Sequence, residues 1–492
     1  MQKYQMYIGG QWTDPAGGEW FESFNPFTGK PWAQIPKGGA DDVDRAVAAA
    51  LEAFNEGEWP QKTASQRGHL LRKLGDLVAE KAQALAATEV RDNGKLMAEM
   101  LGQLNYIPQW YFYYGGLADK IEGSVIPTDK PDTLNFTRHE PLGVVGAITA
   151  WNSPLLLIAW KLAPGIAAGN TFVIKPSEYT SASALEFVDL VEEAGFPPGV
   201  VNVVTGFGQD VGAPLVEHPD VAKIAFTGSE AGGRSVYEAA ARGIKRVTLE
   251  LGGKSPNIVF DDANIDDAVK GVISGIFAAT GQTCIAGSRL LVQESIHDEF
   301  LEKLVAFAKT ARMGDPSDME TQVGPVTTQP QYEKILHYID VATKEGANCE
   351  LGGGPATRPE CGDGWFVEPT IFSGVTNDMR IAQEEVFGPV LATIPFKDEE
   401  DAIRIANNSV YGLAAGVWTQ SIQRAIRMSD RLRAGTVWVN TYRAVSYTSP
   451  FGGYKRSGVG RENGIEAIRE YMQTKSVWIN TGSEVPNPFA LR

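Results

Sequence analysis

VVGAIT, at residues 144–149, is the first of five apolar runs that decide the fold. The others are TFVIKP (171–176), VVNVVTG (200–206), VAKIAFTG (221–228) and RVTLELGG (246–253). Each run has the length and the β-branched composition of a buried strand, and helical patterns at about 181–194 and 230–241 lie between them. Strands that alternate with helices predict a parallel, doubly wound α/β sheet.

The second half of the chain repeats this alternation. We predict a helix at about 296–311 and strands in IFAATGQT (276–283), SRLLVQ (288–293), EPTIFSGV (368–375), VLATIPF (390–396), AAGVWT (414–419) and GTVWVN (435–440). A chain of 492 residues is also longer than one hydrophobic core usually serves. We therefore predict one domain from residues 1–119 and 141–249 and a second α/β domain from residues 250–455.

Two polar, extended segments, 120–140 and 470–492, fit neither domain. Because strands without a core of their own usually pair with something else, we interpret them as a small β arm for oligomerisation. This interpretation predicts a homodimer or a homotetramer.

Composition narrows the class of protein. The net charge of −16 argues against a nucleic-acid partner. No run approaches the roughly 20 apolar residues of a membrane span, and the N-terminus lacks the pattern of a signal peptide. The three cysteines, Cys284, Cys349 and Cys361, form neither a disulfide framework nor a metal motif. We expect a cytoplasmic, reduced protein without a metal, with Cys349 and Cys361 incidental.

Cys284 is the candidate nucleophile. It lies in the run FAATGQTCIAGSR, among small and polar neighbours, whereas a structural cysteine usually lies among larger apolar residues. Gly281 and Gly287 flank it, and we expect them to let the backbone approach a ligand closely.

Two polar residues that close apolar strands are candidate partners of this thiol. Asn152 can donate its amide to an oxyanion, and Glu250 can act as a general base on water. Taken singly, Asn152 could instead form a turn and Glu250 could be a solvated carboxylate at a strand end.

Two further turns are candidate sites for a phosphorylated ligand. Gly228 and Gly233 lie where a strand runs into a helix, whose N-terminus favours anions, although a plain tight turn would look the same. Lys175 and Glu178 directly follow another strand, where a carboxylate can bind ribose hydroxyls or form a surface ion pair.

Seven motifs in order carry a family resemblance. They are AWNSP (150–154), KPSE (175–178), FTGS (226–229) followed by Gly233, LELGGKSP (249–256), GQTCIAGSR (281–289), EEVFGPV (384–390) and PFGGYKRSGVGRE (450–462). From about residue 5 to its end the chain resembles the NAD(P)-dependent aldehyde dehydrogenase superfamily, of the hydrolytic, non-acylating type. The resemblance implies a Rossmann-like NAD-binding domain over residues 1–119 and 141–249, a catalytic domain over residues 250–455 and an oligomerisation arm.

The resemblance also implies roles for particular residues. Cys284 would be the catalytic thiol, Asn152 and the Cys284 N–H the oxyanion hole, and Glu250 the activator of the deacylating water. Lys161 and Glu462 match a proton-relay pair. The implied cofactor residues are Lys175 and Glu178 on the adenosine ribose, Gly228, Ser229 and Gly233 near the pyrophosphate, Glu385 on the nicotinamide ribose and Phe387 beside the nicotinamide.

The implied reaction has two halves. The Cys284 thiolate adds to an aldehyde, hydride passes to the nicotinamide, and water activated by Glu250 hydrolyses the thioester to the free acid. Relatives that acylate coenzyme A typically lack a functioning base at the Glu250 position. Glu178 should repel the 2′-phosphate of NADP, so we expect NAD, with NADP as the alternative.

The sequence departs from many relatives at two pocket positions. Ser153 and Val445 stand where those relatives carry aromatic residues, so we expect a roomy pocket for an aromatic, cyclic or branched aldehyde. A short-chain aldehyde or a semialdehyde is the alternative. The apolar wall of the pocket would include Trp160, Tyr106 and Trp110, which could equally be core residues. Arg443 could contact a polar substrate tail or pair at a subunit surface.

Two other classes of function stay open from the residues. A thiol hydrolase could use Cys284 on esters without a redox step, and a non-catalytic protein could have recruited an enzyme scaffold. None of the five histidines lies in a motif beside the thiol, which argues against a Cys–His hydrolase.

Overall fold

The structure is a computed structural model, and it describes residues 1–482, 484–485 and 489. Its strands are β1 Gln2–Lys3, β2 Met6–Ile8, β3 Gln11–Thr13, β4 Trp20–Asn25, β5 Lys30–Pro36, β6 Val125–Ile126, β7 Thr133–Pro141, β8 Val144–Ile148, β9 Thr171–Lys175, β10 Val201–Val203, β11 Val221–Thr227, β12 Arg246–Glu250, β13 Pro256–Val259, β14 Arg289–Gln293, β15 Asn348–Leu351, β16 Thr370–Ser373, β17 Val390–Phe396, β18 Ala414–Trp418, β19 Thr436–Val439, β20 Gly458–Val459 and β21 Met472–Asn480.

The α-helices lie between these strands. They are α1 Ala40–Asn55, α2 Ala64–Asn93, α3 Met97–Tyr106, α4 Pro108–Leu117, α5 Pro154–Ala168, α6 Ala182–Ala194, α7 Ala213–Glu217, α8 Glu230–Arg242, α9 Ile265–Ile276, α10 His297–Ala308, α11 Gln329–Lys344, α12 Arg380–Gln383, α13 Glu399–Asn407 and α14 Ile422–Arg431.

The first large sheet has the order β20-β12-β11-β8-β9-β10-β2-β3. Its five central strands are parallel and correspond to the five predicted runs, while β20, β2 and β3 pair antiparallel at the edges. Every residue of β8 and β9 is buried, as expected for strands covered by helices on both faces. The order reverses between β8 and β11, which is where such sheets bind ligands.

The second large sheet has the order β15-β16-β17-β14-β13-β18-β19 and is parallel except for the pair β15–β16. The α/β fold class is therefore confirmed for both halves of the chain. The prediction of a strand at 276–283 is wrong. α9 ends at Ile276, and Ala279, Thr280 and Gly281 have φ of 52°, 54° and 68°, a left-handed turn that no strand accommodates.

The predicted arm forms a separate sheet of three strands, in the order β21-β7-β6. β7 and β21 pair antiparallel over nine residues each. Part of the tail predicted with it, residues 483, 486–488 and 490–492, lies outside the described residues. The domain boundaries remain predictions.

None of the described helices is long and apolar enough to cross a membrane. Within the same residues, no group of three His, Cys, Asp or Glu side chains could hold a metal ion.

The arm sheet exposes apolar side chains, among them Val125, Leu134 and Trp478, the last with 58% of its surface exposed. Such a patch is typical of an interface, so we expect a second copy to cover it. Light scattering should give the unsubstituted protein a mass that is a multiple of 53.2 kDa. Trp478→Asp should shift that mass towards a single chain, because it would bury a charge in the contact.

The matched control is Ile426→Asp, which adds a charge at a similarly exposed position on α14, outside the arm. It should keep the mass of the unsubstituted protein. A single-chain mass before any substitution would contradict the arm interpretation.

Candidate active site

A cavity of about 990 Å³ opens at the carboxyl ends of the strands of the first sheet. Its lining includes residues that follow β8, β9, β11 and β12, together with Cys284 and Glu385 from the second half of the chain. The volume is at the upper end of the range for small-molecule sites. The cavity thus brings together predicted site residues from both halves of the sequence.

Cys284 is half-buried and lines this cavity. The left-handed turn of residues 279–281 precedes it and is held by two contacts, from Ala279 N to Glu99 Oε1 at 2.8 Å and from Thr280 Oγ1 to Gly324 O at 3.1 Å. A non-glycine residue in this region of φ stores strain, which commonly accompanies a functional site.

The glycines beside Cys284 do not have the predicted role. A Cβ at Gly281 would lie 2.1 Å from Gly388 O, and a Cβ at Gly287 would lie 3.0 Å from the Tyr442 ring. The expectation that they admit a ligand is wrong, because the atoms that approach them belong to the protein itself.

Burial raises the pKa of the Cys284 thiol to about 12, and the nearby carboxyls of Glu250 and Glu385 add to the shift. The thiol of the cofactor-free protein is therefore protonated near neutral pH. Ionisation of this thiol to the nucleophilic thiolate needs positive charge that offsets the cost of burial and the charges of the two carboxyls.

Asn152 lies just after β8 and its side chain reaches the cysteine loop. Its Nδ2 donates to Gln282 O at 3.0 Å, and Gln282 Oε1 in turn accepts from Thr327 N at 3.0 Å. This contact fixes the amide beside the turn that carries Cys284, where its second N–H can face a reacting oxygen.

Glu250 ends β12 and is buried in the cavity wall. Among the described residues neither of its carboxyl oxygens has a hydrogen-bond partner. Burial, and then the charge of Glu462, raise its pKa well above the usual range. A raised pKa makes the ionised carboxylate a stronger base than an exposed glutamate.

Lys161 and Glu462 form a buried ion pair, with Nζ to Oε1 at 2.5 Å. Lys161 Nζ also donates to Thr227 Oγ1 at 2.6 Å. Neither residue belongs to the cavity lining, and Glu462 acts on Glu250 through its charge. The structure therefore places the predicted relay pair outside the cavity lining, near enough to Glu250 for its charges to act on that carboxyl.

Four of the predicted ribose and pyrophosphate residues line the cavity, namely Lys175, Glu178, Gly228 and Ser229. Lys175 Nζ and Glu178 Oε2 are 3.1 Å apart. Ser229 caps α8, where its Oγ accepts from Gly232 N at 3.1 Å. Gly228, Ser229 and Gly232 line the cavity, so the first turn of α8 borders it.

Gly233 is not part of the cavity lining, unlike Gly232. A Cβ at Gly233 would lie 2.5 Å from Leu251 Cδ2, so the absence of a side chain lets α8 pack on the residue that follows β12. Its predicted cofactor role has no contact in the cavity to support it.

Glu385 and Phe387 line the cavity as predicted. Glu385 Oε1 accepts from Gly253 N at 3.1 Å, and a Cβ at Gly252 would lie 2.1 Å from its other oxygen. Phe387 has φ 58° and its ring meets that of Trp151 edge-on at 5.2 Å.

All six predicted pocket residues line the cavity. Trp110 and Trp160 stack with ring centroids 6.1 Å apart, and Tyr106 meets Trp110 edge-on at 5.0 Å. Trp110 and Trp160 also belong to the hydrophobic core, so the two alternatives for them hold together. Val445 and the half-buried Arg443 come from the loop after β19.

Sequence reasoning missed Lys95, a buried lysine in the same wall. Its Nζ donates to Ser153 Oγ at 2.8 Å, and Ser153 Oγ donates to Gln103 Oε1 at 3.3 Å. Burial lowers the pKa of Lys95 to about 8. No signal in a single sequence points to this lysine, because its partner lies 58 residues away.

The comparisons with known proteins agree with this geometry. The aldehyde dehydrogenase family matches residues 12–477. The chain is 49% identical to the (Z)-2-((N-methylformamido)methylene)-5-hydroxybutyrolactone dehydrogenase of Acinetobacter baylyi, over 100% of both chains, and 48% identical to an aldehyde dehydrogenase of Aspergillus niger, over 98% of this chain and 96% of the other.

A crystal structure of betaine aldehyde dehydrogenase from Staphylococcus aureus in complex with NAD+ superimposes with a TM-score of 0.97 at 40% identity. It covers 99% of this chain and 97% of its own. The α/β fold, the cavity that holds a cysteine and a carboxylate, and these relatives together define the class, an oxidoreductase of aldehydes. The chain belongs to the aldehyde dehydrogenase family, which confirms the resemblance and the enzyme class predicted from the motifs.

The raised pKa of Cys284 predicts how the free protein reacts with iodoacetamide. Because the thiolate is the nucleophile, the rate at Cys284 should rise about tenfold for each pH unit in the neutral to mildly alkaline range. Mass spectrometry of the Cys284 peptide measures this rate in a Cys349→Ser background, which removes the exposed competing thiol. A rate that reaches its plateau near neutral pH would show that the thiol is already ionised.

Proposed function

We propose that this protein oxidises an aldehyde to the free carboxylic acid with NAD, through a covalent intermediate on Cys284 that Glu250 helps to hydrolyse. The observation that carries the proposal is the single cavity, which Cys284, Asn152 and Glu250 line together with the ribose-type carboxylates Glu178 and Glu385. The cytoplasmic location and the homo-oligomer remain predictions.

The cavity suits NAD on several counts. The first turn of α8 offers N–H groups and the positive end of a helix dipole to a pyrophosphate. Glu178 and Glu385 offer carboxylates to ribose hydroxyls, and both line the cavity. The glycine turn at Gly252 and Gly253 lies directly against Glu385. Bound NAD would supply a hydride acceptor and a positive charge near the thiol.

Cys284 and Asn152 would act on the aldehyde carbonyl. The Cys284 thiolate adds to the carbonyl carbon, and negative charge develops on the carbonyl oxygen. The free N–H of the Asn152 amide and the Cys284 backbone N–H stabilise that charge, and donors of this kind are worth about 10²- to 10³-fold in rate. The contact of Asn152 with Gln282 keeps the amide pre-organised for this work.

Glu250 would take a proton from the water that attacks the thioester. Its carboxyl oxygens have no hydrogen-bond partner among the described residues, and its raised pKa makes the ionised carboxylate a stronger base towards that water. The Lys161–Glu462 pair behind it holds a buried ammonium and a second carboxylate, through which the proton can leave. The product is the free acid.

We propose a bulky aldehyde as substrate. Trp110, Trp160 and Phe451 form an aromatic wall, with Trp160 and Phe451 centroids 4.9 Å apart. Ser153 and Val445 have small side chains, so they leave room in the pocket for a large substrate. The Acinetobacter baylyi relative is named for a substituted hydroxybutyrolactone, which is likewise larger than acetaldehyde. A short-chain aldehyde is the alternative.

The first test is NADH formation with benzaldehyde, a branched aldehyde and acetaldehyde. Cys284→Ala should abolish turnover, because the nucleophile is gone. Glu250→Gln should give a burst of about one NADH per site and then a steady rate about 10²- to 10⁴-fold slower, because hydrolysis alone is impaired. The matched control is Glu80→Gln on an exposed face of α2, which should behave as the unsubstituted enzyme.

Each result has a separate meaning. Turnover by Cys284→Ala would overturn the covalent mechanism, and a Glu250→Gln variant with a full steady rate would remove Glu250 as the base. A preference for acetaldehyde over benzaldehyde would contradict only the proposal of a bulky substrate.

Cofactor choice gives an independent prediction. Glu178→Gln should lower the ratio of kcat/KM for NAD over NADP about tenfold, since it removes a like-charge contact with the 2′-phosphate. Steady-state kinetics with both cofactors measure the ratio, and Glu333→Gln, exposed on α11, is the control. An unchanged ratio would place NAD selectivity elsewhere.

A further inference from the structure

The wall of the cavity around Ser153 offers more hydrogen-bond donors than acceptors. Gln103 Nε2 and Trp160 Nε1 are buried and have no partner among the described residues. Lys95 Nζ carries three donors, and among the described residues its hydrogen-bond acceptor is Ser153 Oγ. The acceptor of Gln103, Oε1, is already engaged by that serine.

The same wall carries two positive charges. Lys95 and Arg443 both line the cavity, and Arg443 is near enough for its charge to depress the pKa of Lys95. Within the part of the chain that the structure describes, no carboxylate lies within 4.0 Å of either cation. Arg443 Nη1 reaches a backbone carbonyl, Ser274 O, at 3.3 Å.

Two carboxylates in the neighbourhood, Glu99 and Glu89, lie outside the cavity lining, and each has one oxygen in hydrogen bonds and one without a partner among the described residues. Glu99 Oε1 accepts from Ala279 N at 2.8 Å and so supports the turn before Cys284. Glu89 accepts from Leu155 N at 2.9 Å, and burial raises its pKa to about 7, which leaves it only partly ionised near neutral pH. Both favour the charged form of Lys95 without forming an ion pair with it.

A buried cation without a paired anion is costly, and unmatched donors add to that cost. A ligand that brings an anionic acceptor would offset both. We propose that the substrate aldehyde carries a carboxylate, which Lys95 and Arg443 bind while the aldehyde group lies at Cys284. This inference rests on the proposed function and names its substrate class, an aldehyde acid.

Ser153 has a defined part in this arrangement. In accepting from Lys95 Nζ at 2.8 Å, its hydroxyl holds the ammonium group at the cavity wall. The aromatic residue that many relatives carry at this position offers no such acceptor. The substitution therefore exchanges apolar bulk for a polar contact that positions a cation, and the aromatic wall of Trp110 and Trp160 remains beside it.

The test compares two aldehydes that differ in charge, 4-formylbenzoate and 4-formylbenzamide, by NADH formation. The unsubstituted enzyme should prefer the carboxylate in kcat/KM. Lys95→Met should lower the ratio of the two kcat/KM values about 10- to 100-fold, mainly through KM for the benzoate, because a contact to the remote carboxylate contributes to substrate binding. Arg443→Leu should lower the ratio in the same direction.

Lys344→Met, exposed on α11, is the matched control and should keep the ratio. If Lys95→Met does not fold, Arg443→Leu gives the same readout from a side chain that is only half-buried. Equal use of the two aldehydes, or equal loss on both in Lys95→Met, would overturn the inference and leave the proposed function standing. Absence of turnover with every aldehyde tested would overturn both.

Discussion

The Cys284 thiol and the Glu250 carboxyl line one cavity. What the site can do depends on how readily each of these two groups ionises. Burial raises both pKa values, and each negative charge opposes the other. The two groups therefore suit consecutive steps, since a cysteine held in a thioester carries no charge. The ion pair of Lys161 and Glu462 lies behind the carboxyl, where it tunes that group without occupying the space for the substrate.

The cavity lining carries charges of both signs. In the proposed function, the Glu178 and Glu385 carboxylates would meet the ribose hydroxyl groups of a dinucleotide. Lys95 and Arg443 would instead serve the substrate, in a chain whose net charge is −16. A chain of this net charge would repel an anionic substrate, so Lys95 and the half-buried Arg443 are the local features that could hold one.

Much of the fold and part of the site could be predicted because their signals are local. Strands buried on both faces appear as continuous apolar runs, and β8, β9 and β11 were found in this way. The run at 276–283 looks the same over its first residues, but its left-handed turn depends on contacts with Glu99 and Gly324 far along the chain. Cys284, Asn152 and Glu250 lie in motifs. Lys95 does not, and only the folded chain brings it to Ser153.

The short strand β20 pairs with β12 at the position of Glu250, where Gly458 faces that residue. Trp110 is likewise tied to Asn463, through Nε1 to Oδ1 at 2.7 Å. Glu250 and the aromatic wall thus depend on a segment that is synthesised only after every strand of the second large sheet. Because chains fold as they emerge from the N-terminus, the β12 edge of the first sheet stays open in the nascent chain until β20 has been made.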